Sequence, residues 1–273
     1  MFDTISSQAS KLIKLTNKVR NNSYSKTKLI TITSGKGGVG KTTFTANIAF
    51  LLAKRGFNVA VLDADIGLAN MQVLFNIKPQ SSFFDYIDGV KTLDEVILKT
   101  PYPNVSLIAG KSGYQYTSNT NSFIFSRVVK DVVALNRFDI LLIDTGAGLN
   151  DYVKEFLSIS DNILALTTTD PSALTDVYSL MKMLSLEKNK LMLCFNHTKS
   201  YQIGETIANS LVNLAKKNRL NEDFMVEYIG NVSTSANITT TGRLRKLFSK
   251  EFLGDESTKQ LQMIIDLILK NIH

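Results

Sequence analysis

Short, nearly continuous apolar runs alternate along this chain with longer stretches of helical periodicity. Runs over 28–33, 57–62, 105–109, 138–143, 163–167, 190–195 and 224–230 predict strands. Between or after them, 42–55, 123–136, 172–186, 203–218 and 257–272 predict helices. Apolar residues there recur three or four positions apart, as Phe44, Ile48, Leu51 and Leu52 do in the first. Strands that are apolar throughout need cover on both faces, and helical crossovers join strands in parallel. The expected fold class is therefore α/β: a mostly parallel twisted sheet with helices on both faces. Ligands of such sheets bind outside the carboxyl ends of the strands.

Two segments stand apart from this alternation. Residues 3–19 place Ile5, Ala9, Leu12, Ile13, Leu15 and Val19 on roughly one helical face, and a polar stretch from Arg20 to Lys26 follows. That pattern divides the chain into an appended N-terminal helix (1–20), a linker (21–27) and an α/β domain (28–273). The last predicted helix carries Leu261, Ile264, Ile265, Ile268 and Ile272 and reads as a core helix. The basic amphipathic stretch from Arg243 to Lys250 reads as a solvated helix face.

Composition narrows the picture. At 273 residues and 44% hydrophobic, the chain can bury a sizeable core. Its formal charge of +7 is spread along the whole length, so nucleic acid is not an expected partner. Cys194 is the sole cysteine and sits in an apolar run, which excludes an internal disulfide and any paired-cysteine metal or cluster site. The start lacks a basic region followed by an apolar core, and no run is long enough to span a bilayer. A reducing cytoplasm is the expected location.

The chemistry concentrates in Gly35-Lys36-Gly37-Gly38-Val39-Gly40-Lys41-Thr42-Thr43. Gly35 to Thr42 matches the P-loop pattern between a predicted strand and a predicted helix, the context that pattern needs. Its glycines let backbone N–H groups approach phosphate oxygens, and the helix N-terminus adds positive potential. Lys41 is expected to reach the β- and γ-phosphates of ATP, Thr42 to ligate Mg²⁺, and Thr43 to donate to the α-phosphate. A P-loop does not need a second lysine at Lys36. That cation either lies near the phosphates, projects toward a facing subunit, or is solvated.

With Lys36, this loop resembles the deviant Walker A motif of the MinD/ParA ATPases, and the resemblance runs from Lys28 to about Gly230. It implies a P-loop fold of MinD type and an ATP-dependent homodimer in which Lys36 acts across the interface. Asp63-Ala64-Asp65 resembles the family's switch I. The likeness implies that Asp65 positions the attacking water and that Asp63 lies nearer the metal. Leu141-Leu142-Ile143-Asp144-Thr145-Gly146-Ala147-Gly148 resembles Walker B and switch II, which implies that Asp144 holds Mg²⁺ through water. Asn196 matches the base-reading asparagine. The family often has a Pro-Asp pair where this chain has Asn231-Val232, so that side of the adenine pocket is not defined by the motif.

Within the family, Asp65-Ile66-Gly67-Leu68-Ala69-Asn70 and Thr169-Asp170-Pro171-Ser172-Ala173-Leu174-Thr175-Asp176-Val177-Tyr178 resemble the branch of flagellar-number ATPases. The N-terminal Ser7-Gln8-Ala9-Ser10-Lys11-Leu12 is similar to that branch's activating helix, with Ser7 and Ile13 departing from its pattern. The likeness implies slow ATP hydrolysis, control of flagellar number and placement, and contacts with flagellar switch-complex proteins and the inner face of the membrane. It also implies stimulation of the FlhF GTPase through Gln8, Ala9 and Leu12. Division-site selection of MinD type and partition of ParA type are the alternatives. Iron–sulfur carriers on this fold require paired cysteines.

Overall fold

The computed structural model describes residues 27–66, 69–111, 123–198, 200–218, 220–221 and 223–272. Gln8, Ala9 and Leu12, the linker to residue 26, and Gly67 and Leu68 of the switch I motif lie outside the described residues.

Among the described residues eight strands form one sheet: β1 (Lys28–Ser34), β2 (Val59–Ala64), β3 (Ile97–Lys99), β4 (Val105–Ile108), β5 (Ile140–Ala147), β6 (Asn162–Thr167), β7 (Lys190–Asn196) and β8 (Met225–Val232). Their order is β3-β4-β2-β5-β1-β6-β7-β8, and every pairing is parallel except β3 with β4. The expected parallel sheet is present. The additional strand, β3, is a three-residue antiparallel edge too short to show a period. β2 begins two residues later than the apolar run suggests, so Asp63 is inside the strand and Asp65 is the first residue past it.

The helices are α1 (Lys41–Lys54), α2 (Met71–Leu74), α3 (Phe83–Ile87), α4 (Leu93–Val96), α5 (Ile124–Ala134), α6 (Asp151–Ile159), α7 (Pro171–Leu184), α8 (Tyr201–Lys217), α9 (Ala236–Arg243), α10 (Phe248–Glu251) and α11 (Glu256–Asn271). On one face, α1 and α11 bury Phe44, Ile48, Leu52, Leu261, Ile264 and Ile268 in a single cluster with β1, β5, β7 and β8. The other face carries two clusters, one around Phe125 and Phe156 and one around Val177, Leu180 and Leu211. Helix α6 escaped the periodicity reading because it is short. Its start is set by Asn150, whose side chain accepts from the Val153 N–H at 3.0 Å.

The final helix is a core helix, as expected. Asp255 caps it, accepting from the Ser257 N–H at 2.9 Å, and Ile265 is fully buried. The Arg243–Lys250 stretch is not one helical face. Helix α9 ends there, Arg245 takes a left-handed φ of 54°, and Leu247 and Phe248 turn into the core. The Ser249 N–H then donates to Asn47 Oδ1 at 3.0 Å, pinning the segment to α1.

Candidate functional site

The order of strands places β1 where crossovers leave in opposite directions, with β5 on one side and β6 on the other. The crevice beyond the carboxyl ends at this switch point is where open α/β sheets bind ligands. The loop from Gly35 to Gly40 fills it. Ser34 Oγ donates to the Lys36 carbonyl at 2.8 Å, and the Gly148 N–H donates to the Ser34 carbonyl at 3.0 Å, so β5 braces the base of the loop. Gly40 is the N-cap of α1 at φ 89°, a left-handed conformation costly for residues with a Cβ. With glycine at the cap, no side chain accepts from the N-terminal N–H groups, and the first turn holds no acid. Those donors and the helix dipole therefore face the crevice, a set of partners suited to phosphate. Lys41 is the first helical residue and is buried.

Two carboxylates stand side by side at the ends of adjacent strands, since Asp63 pairs in register with Asp144. Asp144 is fully buried, and burial pushes its pKa up to about 6 against the pull of Lys41 and the Thr42 and Thr45 hydroxyls. Its Oδ1 accepts from Thr45 Oγ1 at 3.2 Å, and its buried Oδ2 has no hydrogen-bond partner. An orphaned carboxylate oxygen beside the Thr42 hydroxyl fits a magnesium ion with its water shell. Mg²⁺ in nucleotide sites takes one or two protein groups and otherwise water and phosphate. Among the described residues no cluster of three or more His, Cys, Asp or Glu forms an all-protein cage.

Asp63 is placed differently. Its Oδ1 accepts from the Asp65 N–H at 3.3 Å and its Oδ2 from the Met71 N–H at 3.0 Å. Both oxygens thus hold the turn after β2. Burial and the neighbouring Asp144 nevertheless push its pKa up to about 8. Asp65 lies beyond the strand, near Gly146 and the Tyr152 hydroxyl: a Cβ on Gly146 would fall 3.0 Å from that hydroxyl and 3.5 Å from Asp65 Oδ1. Burial raises the Tyr152 pKa, with Asp65 adding to the effect. Tyr152 carries no motif, and only the packing of α6 against β5 brings it here.

Asn196, at the end of β7, lies beside the loop. Its Nδ2 donates to the Val39 carbonyl at 2.8 Å and its Oδ1 accepts from the His197 N–H at 3.0 Å. It lines a cavity of about 150 Å³ with Gly40, Thr43, Phe44, Val232, Ile238, Phe248 and Leu261. These apolar walls stand beside Asn196, on the side that the sequence motif left undefined. They escaped the sequence reading because they come from five elements with no shared spacing. A second cavity of about 380 Å³ is lined by Lys36, Gly37, Gly38, Val39, Thr168, Thr169, Asp170 and His197. A third, about 630 Å³ and larger than either, lies between α8 and β8 around Val212, Leu220 and Phe224 and shares no residue with the loop, so size does not locate the chemistry.

Lys36 turns back onto its own chain, where its Nζ donates to Ser172 Oγ at 2.7 Å. Gly35, Gly37, Gly38, Val39 and Gly40 form the loop, and Thr42 and Thr43 open the helix. The structure thus gathers Lys36, Lys41, Thr42, Asp63, Asp65, Asp144 and Asn196 at one end of the sheet.

A P-loop backed by a parallel sheet with these carboxylates defines a nucleoside triphosphatase. A family model described as ParA, NUBPL iron-transfer P-loop NTPase, matches residues 25–269. The chain is 34% identical over 98% of its length, and 92% of the relative's, to the flagellum site-determining protein YlxH of Helicobacter pylori. It is 32% identical over 74% of its length to the antiactivator FleN of Pseudomonas aeruginosa, covering 72% of that protein. Among solved structures, the cell division ATPase MinD of Pyrococcus furiosus superposes with a TM-score of 0.76 at 22% identity, over 89% of this chain and 98% of that one. The chain belongs to the ParA/MinD family of P-loop ATPases, in the group that includes the flagellum site-determining proteins. The paired cysteines of an iron–sulfur carrier are not present, and the single cysteine, Cys194, is buried.

Proposed function

We propose that this protein is an ATP-driven switch that pairs two copies of itself around ATP and controls the number and placement of flagella. The observation that carries this reading is the convergence of Lys41, Asp65 and Asp144 on a P-loop, in a chain similar along nearly its whole length to a flagellum site-determining protein. The α1 N-terminus and Lys41 bind the phosphates, Thr43 donates to the α-phosphate, and Thr42 and Asp144 hold Mg²⁺. When bound, the ion neutralises charge on the phosphate oxygens. Asp65 orients the attacking water, and Lys36 of each copy stabilises charge on the other's phosphates, as an arginine finger does. Asn196 reads the base beside the apolar cavity.

The N-terminal helix, residues 1–20, serves in this reading as a separate partner-binding module that stimulates the FlhF GTPase through Gln8, Ala9 and Leu12. Flagellar switch-complex proteins and the inner membrane surface are the further partners. Any membrane contact is peripheral in this reading: among the described residues no helix is long and apolar enough to cross a bilayer, and the apolar face of α11 is buried in the core.

Light scattering with Mg-ATP tests the switch. Lys41→Ala should stay monomeric through loss of nucleotide, and Asp65→Ala should accumulate dimer through loss of hydrolysis. Two monomeric variants would refute the paired site. For the N-terminal module, a peptide of residues 1–20 should accelerate GTP hydrolysis by FlhF and a Gln8→Ala peptide should not. Equal rates with both peptides would remove that role.

A further inference from the structure

The bond between Lys36 and Ser172 joins residues far apart in sequence, and binding one nucleotide does not require it. Its placement is enforced by a close approach at the start of the loop. A Cβ on Gly35 would fall 2.5 Å from Asp176 Cβ and 2.6 Å from the Asp176 carbonyl carbon, so the backbone of the loop rests directly on α7. That contact sets Lys36 over the first turn of α7, where Ser172 is the second residue.

We propose that Ser172 is a positioning residue that holds Lys36 on its own subunit and so sets how readily two copies pair. The proposal rests on the reading of Lys36 as a group acting across the dimer, in which its ammonium leaves Ser172 for a facing subunit's phosphates. The strength of the hold suits this task. Lys36 and Ser172 are both exposed, and the contact is a single hydrogen bond to a neutral hydroxyl. The N-terminal end of a helix disfavours a cation. The nearest acid along the chain, the N-cap Asp170, accepts instead from Thr168 Oγ1 at 3.1 Å. No ion pair involving Lys36 occurs among the described residues. Such a contact biases the lysine inward yet yields to a triphosphate in the facing site. A carboxylate at the same position would grip far harder.

The test measures pairing of the full chain by light scattering across a range of protein concentrations, with Mg²⁺ and a non-hydrolysable ATP analogue. Ser172→Ala should lower the concentration at which half the protein is dimeric by about tenfold to a hundredfold, the worth of two such hydrogen bonds, one released in each copy. Ser172→Thr keeps the hydroxyl and should restore the original midpoint, which a merely structural role would not require. Ser172→Asp should raise the midpoint. Nucleotide affinity measured at concentrations where every variant is monomeric should be unchanged, which separates pairing from binding. An unchanged or raised midpoint for Ser172→Ala, or no recovery with Ser172→Thr, would overturn the proposal while leaving the paired site intact. If the unaltered protein stays monomeric at every concentration, the paired site itself is wrong and this proposal falls with it.

Discussion

Thr45 Oγ1 lies 3.2 Å from Asp144 Oδ1, which ties the second turn of the P-loop helix to the end of β5. The same hydroxyl bonds the Lys41 carbonyl at 2.9 Å. Asp144 is thereby oriented through one oxygen, while the other has no hydrogen-bond partner and, in the proposed site, is left for the metal shell. Asp144→Asn should reduce Mg-dependent phosphate release on the order of 100-fold or more. The melting temperature without nucleotide should not fall, because the substitution removes a buried charge whose ionisation burial already opposes. A parallel loss of melting temperature would mean that Asp144 serves the fold rather than the ion.

Two loop glycines should respond unequally to alanine. Gly38 has φ 78° with nothing within 4 Å of an added Cβ. Gly38→Ala should therefore cost only the left-handed conformation, about 1–2 kcal/mol. At Gly40 the added Cβ would also meet Asn196 Nδ2 at 2.5 Å, displacing the side chain that holds the Val39 carbonyl. Nucleotide affinity by fluorescence titration should fall more for Gly40→Ala than for Gly38→Ala.

The last helix is needed by the core. Ile265 is fully buried in the cluster that includes α1. Ile265→Ala should destabilise the protein by about 2–5 kcal/mol in denaturant titration. Arg55, whose Nη1 lies 2.6 Å from Asp266 across the same interface, is a solvated pair. Arg55→Ala should cost no more than about 1 kcal/mol.

Cys194 should be inert to thiol reagents in the native state. It is fully buried and burial pushes its thiol pKa up. Labelling with a chromogenic disulfide should proceed at the rate of unfolding and become immediate in denaturant. Fast labelling of folded protein would contradict the packing of β7.

How much was legible in advance varied with the kind of signal. The strand at 190–195 and the helix after the P-loop were readable because burial on one or both faces imposes a period on neighbouring residues. The three residues of β3 and the nine of α6 are too short for a period to declare itself. The break after Arg243 was hidden because the apolar residues that leave the helix, Leu247 and Phe248, keep an amphipathic spacing while anchoring elsewhere. Asp63 shows the same limit at the site. The resemblance implied that it lies nearer the metal, but two backbone N–H groups claim its oxygens, and hydrogen bonds from a turn leave no trace in spacing.

The sequence by itself determined the sheet class, the phosphate-binding loop and the identity of the carboxylates near it. The first two depend on residues close together in the chain, where geometry follows from local backbone preference. The carboxylates were picked out by the resemblance of Asp63-Ala64-Asp65 and the run ending in Asp144 to known motifs. Only the tertiary structure decided what each group touches. Lys36 meets Ser172 because β1 and β6 are neighbours and Gly35 lets the loop rest on α7. Ile238, Phe248 and Leu261 wall the cavity beside Asn196 because α9, α10 and α11 fold back over the sheet. Such contacts follow from the order of strands and the close packing of helices upon them, and no local pattern encodes either.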